Sequence, residues 1–171
     1  MEKKRGAYIV YFDIKLPLTL RVGSLGSSVF PAGRYAYVGS ARKGIAVRVS
    51  RHKRLALEKT GKIHWHIDYL LVNPHAQWAG EAVLEDGIEC RISKRIASMN
   101  GVTVPLPGFG SSDCRAGCRA HLYLLPSEKS RDLTSLFARA SVYSTSFSAS
   151  ARGVFRSLSQ YGESFRRFAT T

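Results

Sequence analysis

The chain has 171 residues, 44% hydrophobic and 22% charged, which suits one globular domain with a small appendage and excludes a disordered or fibrous protein. Its apolar runs are too short to cross a bilayer, no apolar stretch follows Met1–Arg5 as a secretory signal would require, and three cysteines do not make a disulfide framework. A cytoplasmic protein without a membrane partner is therefore expected. Twenty-six Lys and Arg against twelve Asp and Glu give a net charge of +14, with 13 basic and 3 acidic groups in residues 1–60 but 6 of each in residues 61–126. So one-sided a field attracts a polyanion, and nucleic acid is the commonest, because each neutralised phosphate releases counterions. A basic surface that only keeps the chain soluble is the other reading.

Residues 6–12, rich in β-branched and aromatic side chains, predict a strand. Glycines at 23, 26 and 33 with Pro31 predict a hairpin with an irregular tip over 18–33. Residues 34–39 form another strand, with Tyr35 and Tyr37 on one face and Ala36 and Val38 on the other. Ile45, Val49, His52 and Ala56 recur at helical spacing and predict a helix from about 44 to 57. His66–Val72, apolar apart from Asp68, reads as a central strand, followed by a turn from Pro74 to Gly80 and a short return strand at 82–84. Ile88, Ile92 and Ile96 predict a helix over about 86–98. A Gly- and Pro-rich loop over 101–113 and a last strand at 121–125 complete the domain, 1–126.

Residues 127–171 form a separate, basic, Ser-rich extension. Leu133, Leu136, Phe137 and Ala140 make one helical stripe, and Val154, Leu158, Tyr161, Phe165 and Phe168 make another. Two amphipathic helices are expected there, joined by a loop at 144–151. The second stripe needs an apolar cover, either the preceding domain or a second copy in a homodimer. The expected architecture is α/β: a small, mainly antiparallel sheet flanked by helices, with a C-terminal helical appendage.

Arg42, Lys43, Arg48, Arg51, Lys53 and Arg54 form the densest basic cluster, and no acid lies between residues 40 and 57. Arg48 and His52 stand one helical turn apart, so a guanidinium and an imidazole could grip one phosphate. A solvated basic face is the alternative. Tyr8, Tyr11, Tyr35 and Tyr37 lie on the first two long strands. A phenol whose pKa is lowered by nearby cations is a general base, though most strand tyrosines are core residues. Glu89, on the second predicted helix, could hold Mg²⁺ with water and substrate oxygens, or be an ordinary exposed residue. Cys114 and Cys118, then His121, with Cys90 upstream, could supply four zinc ligands. Their spacing is unlike a common zinc knuckle, and buried free thiols with a strand histidine are the favoured reading.

Taken together, Gly6-Ala7-Tyr8, Tyr37-Val38-Gly39-Ser40-Ala41, the Arg48–His52 step and Glu89 resemble the GIY-YIG nuclease superfamily. Residues 32–41, 64–71, 89–90 and 108–114 resemble more closely a largely archaeal branch of predicted Uri-superfamily endonucleases, and the likeness covers about 6–125. The resemblance implies Tyr8 and Tyr37 as the paired motif tyrosines, Arg48 as the phosphate-stabilising arginine, His52 as its support and Glu89 as the ligand of one Mg²⁺ or Mn²⁺. Ala7 stands where the motif has Ile, the segment between the two tyrosines is longer than usual, and Asn100 is the candidate for the superfamily's late Asn. The implied activity is metal-dependent hydrolysis of phosphodiesters, in DNA more than RNA, with Arg42, Lys43, Arg51, Lys53 and Arg54 contacting the backbone. A nucleic-acid-binding module without catalysis, or a basic ribonucleoprotein component, is the alternative.

Overall fold

Two long strands lie at the centre of the sheet. β1 (Gly6–Ile14) pairs antiparallel with β4 (Gly33–Ala41), Tyr8 opposite Gly39 and Val10 opposite Tyr37. The computed structural model describes residues 6–42, 44–85 and 88–127. These belong to the first of two units into which the chain divides, Met1–Ser130 and Arg131–Thr171. Both helical stripes expected in the extension, and the basic Lys43, lie outside the described residues.

Between the central strands, β2 (Leu18–Arg21) and β3 (Ser27–Phe30) form the expected hairpin, with a turn of 3₁₀ helix at its tip. After β4 comes α1 (Ile45–Glu58), whose buried residues Ile45, Val49, His52, Leu55 and Ala56 follow the predicted stripe. The next element differs from the sequence expectation. Residues 66–71 form not a central strand but a short helix, α2 (His66–Leu71). Ile67, Leu70 and Leu71 bury one helical face, and the Asp68 carboxylate accepts the backbone N–H groups of His64 and Trp65. In a central strand that carboxylate would have had no such partners.

The segment expected to turn from Pro74 to Gly80 instead enters β5 (Ala76–Glu85), which pairs antiparallel with the other side of β1 and carries a bulge beside Tyr11 and Phe12. α3 (Glu89–Ala97) begins at Glu89, later than predicted, and leaves Ile88 outside and exposed while Ile92 and Ile96 are buried. A turn-rich segment carries the chain to β6 (Leu122–Leu124), antiparallel to β4, completing the order β5-β1-β4-β6.

Alternation along β1 and β4 buries both faces of this sheet. Tyr8, Val10, Phe12, Tyr35 and Tyr37 join α1 and α2 in the main core, with Phe30 and Phe109. Ala7, Ile9, Ala36 and Val38 point the other way and are fully buried too. On that side α3 packs against β4 and β1, and its Ser93 bonds the Tyr123 hydroxyl on β6. At about 1.5–3 kcal/mol per fully buried large side chain, these two faces provide the main apolar stabilisation.

Candidate active site

The Tyr8 ring crosses β4 directly over Gly39, where a β-carbon would overlap it. The glycine thus lets the phenol reach α1, where its hydroxyl lies 3.0 Å from His52 Nε2. The other ring nitrogen of His52, Nδ1, lies 3.3 Å from Asp68 Oδ1 on α2. Three elements therefore set a tyrosine, a histidine and an aspartate in line, all buried.

Asp68 is held as an anion. Arg51 grips both its oxygens at 3.0 and 2.9 Å, and the His64 and Trp65 N–H groups donate to it at 2.8 and 3.0 Å. Burial alone would raise its pKa, but these bonds, with the contact to His52, hold it well below the usual carboxylate range. Arg51 also donates to the Lys62 carbonyl at 2.8 Å and stacks 4.5 Å from the centre of Trp65. The guanidinium, expected to contact nucleic acid, is thus engaged within the domain as the ion-pair partner of Asp68. Arg48 covers the same indole at 4.6 Å and donates to the Ser40 carbonyl at 2.7 Å.

The tyrosines depart from the sequence expectation in their acidity. Burial drives the Tyr8 phenol well above its ordinary 10.0; Arg48 pulls it back, while Glu89 and Asp68 push it further up. Tyr37, equally enclosed, is raised by burial and by Tyr8. Neither is a ready phenolate, and the Tyr8 hydroxyl is hydrogen-bonded to His52 Nε2.

Glu89 opens α3 on the other face of the sheet. One of its oxygens accepts the Ser40 hydroxyl, and the other lies 3.0 Å from His121 Nδ1. Ser40 is thus the meeting point, its hydroxyl on Glu89 and its carbonyl on Arg48. Of the remaining basic residues expected to bind nucleic acid, Arg42 and Arg54 are exposed, and Lys53 lies 3.9 Å from Glu81.

The three cysteines and His121 do come together, with ligand atoms all within 4.8 Å of one another, and could bind a metal ion. The thiols are half-exposed rather than buried. Hydrogen bonding, first from the Cys118 backbone, holds the Cys114 thiol down at about 6, whereas desolvation pushes Cys90 up to about 12.

Sequence reasoning did not assign roles to Asp68, Trp65 or Ser40. Asp68 and Trp65 sit in the block His64–Leu71, where a charged residue in an apolar run was the available signal. Ser40 acts through its neighbours in space and carries no such mark.

No helix among the described residues is long and apolar enough to cross a membrane. No curated protein and no solved structure matches the chain. A family model described as a domain of unknown function, DUF123, matches residues 7–142, and the chain belongs to that family.

Proposed function

We propose that the domain is an endonuclease of the GIY-YIG type, close to the Uri superfamily, that hydrolyses phosphodiester bonds of nucleic acid, DNA before RNA, with a divalent cation. The observation that supports this most is the Tyr8–His52–Asp68 line beside Arg48, with Glu89 joined to the same strand through Ser40. Tyr8 takes a proton from the attacking water as its own phenolic proton passes to His52 Nε2, and Asp68 stabilises the imidazolium that forms. Arg48 stabilises the charge that builds on the phosphoryl oxygens.

Glu89 fits a hard cation: it is one partly exposed carboxylate (24% side-chain exposure) whose oxygens keep lone pairs beyond the Ser40 hydrogen bond and the close approach of His121. A bound Mg²⁺ or Mn²⁺ would supply Lewis-acid stabilisation of the leaving oxygen. Arg42, Lys53 and Arg54 contribute sequence-independent phosphate contacts.

The burial of Tyr8, only 2% exposed, favours a second reading in which the same surface binds nucleic acid without cutting it. The test is a panel of duplexes, flaps and single strands incubated with the full chain and Mg²⁺ or Mn²⁺. Cleavage that depends on the metal and is lost in Tyr8→Phe supports the nuclease; retention of the panel without cleavage supports the binding module.

A further inference from the structure

All three cysteines of the chain stand in one cluster with a histidine, although 23 residues separate Cys90 from Cys114. Cys90 is the second residue of α3; Cys114 and Cys118 sit in the segment between α3 and β6; His121 immediately precedes β6. That segment, 101–120, has no helix or strand of its own. A stretch so long and irregular is uncommon in a small domain unless something ties it down.

The donor set and its spacing suit a cation. Cys90 Sγ and Cys114 Sγ are 3.5 Å apart, near the edge of about 3.8 Å expected for two sulfurs bonded at about 2.3 Å to one tetrahedral zinc. A disulfide between them would leave Cys118 and His121 without a purpose. Cys118 Sγ lies 3.9 Å from the Cys90 carbonyl and also interacts with the Cys90 and Cys114 thiols.

The histidine supplies a second, independent observation. Its side chain is 3% exposed, yet neither ring nitrogen has an aligned hydrogen bond among the described residues. Nδ1 faces Glu89 Oε1, and the ring also interacts with the Cys114 thiol, so a buried imidazole without an aligned hydrogen bond lies between a carboxylate and the sulfur cluster.

We propose that Cys90, Cys114, Cys118 and His121 form a closed, tetrahedral site for a thiophilic divalent cation, zinc above all, which ties the 101–120 segment to α3 and fixes His121 against Glu89. The thiols bind as thiolates and release their protons to solvent, and His121 binds through Nε2. Its Nδ1–H then donates to Glu89, the carboxylate–histidine–metal arrangement that holds an imidazole in one tautomer and orientation. With four protein ligands, no position is open for substrate, so the role is structural. The site also steadies the carboxylate that the proposed nuclease uses, but its existence does not depend on that reading.

The test uses the full reduced chain and Co²⁺ as a spectroscopic probe, with no nucleic acid present. One Co²⁺ per chain, with the intense visible bands of tetrahedral thiolate coordination and displacement by zinc, is the expected result. Zinc should also protect all three thiols from a thiol reagent, and a chelator should expose them. Cys118→Ser and His121→Ala should lose the tetrahedral spectrum, and Glu89→Gln should weaken metal affinity by about 10–100-fold. Should those variants fail to fold, the cobalt spectrum and thiol protection of the unaltered chain still decide the matter. A weak octahedral spectrum, unprotected thiols in excess zinc, or a Cys90–Cys114 disulfide in chain isolated under reducing conditions would overturn the proposal. None of these readouts involves cleavage, so an inactive chain with tetrahedral cobalt would reject only the nuclease.

Discussion

Tyr8 and Gly39 face each other across β1 and β4, and the tyrosine ring occupies the space in which any larger residue 39 would place its β-carbon. The smallest side chain on one strand thus permits the largest on the other to reach α1 and bond His52. Gly39→Ala should push the phenol off His52 and cost about 1–3 kcal/mol, the usual range for overpacking a core. Denaturant unfolding of that variant beside Tyr8→Phe separates the causes: Tyr8→Phe keeps the packing and should lose only about 1 kcal/mol, the worth of one hydrogen bond.

Asp68 should make the stability of the domain depend on pH in acid. Its folded pKa lies below the ordinary 3.8, so the unfolded chain binds its proton first on acidification. Stability from this group is fully present above about pH 5 and falls as the pH drops below about 4. Asp68→Asn should flatten that acid limb of the unfolding profile. At neutral pH it should cost about 3–5 kcal/mol, because Arg51 loses a buried counter-charge. An unchanged acid limb would remove Asp68 from this role.

Arg48 and Lys53 stand on the same helix but should fail differently. Arg48 is held by the Ser40 carbonyl and the Trp65 ring, where the proposed reaction would build its charge, whereas Lys53 is exposed. Arg48→Ala should lower kcat by about 100-fold with little change in affinity, and Lys53→Ala should reduce the salt slope of binding by about one unit. Equal losses of affinity with no rate effect would make Arg48 a plain phosphate contact.

Glu89→Gln should abolish Mg²⁺-dependent cleavage while leaving nucleic-acid affinity nearly intact, since it removes the proposed metal ligand and no basic surface. Full activity in this variant would reject Glu89 as the cation's carboxylate.

Every buried core position among the described residues lies at or before Leu125, so a chain ending at Ser130 should fold as a unit. Removal of residues 131–171 takes away Arg152, Arg156, Arg166 and Arg167 among other basic groups. Weaker nucleic-acid binding at moderate salt, with cleavage retained, is the expected outcome. Gel filtration of the two lengths reports whether the extension also mediates a dimer.

Local pattern was enough to place β1, β4 and α1 from composition and side-chain period, and the β2–β3 hairpin from its glycines and Pro31, because these signals are written along consecutive residues. Tyr8, Tyr37, Arg48, His52 and Glu89 could be proposed as one set from the order of short motifs alone. The state of those groups was not. Burial from both faces of the sheet raises the phenols, and burial is a property of what packs around a strand. The helix at His66–Leu71 escaped local reading because its apolar run suits a buried strand equally well; what decides for a helix is Asp68, whose partners His52 and Arg51 lie on another helix. The cysteine cluster shows the same limit. Cys114-x3-Cys118 was visible as a spacing, but only the packing of α3 against β4 and β1, with Ser93 bonded to Tyr123 of β6, brings Cys90 and His121 to it, because chain contour says little about distance once a chain has folded back on itself.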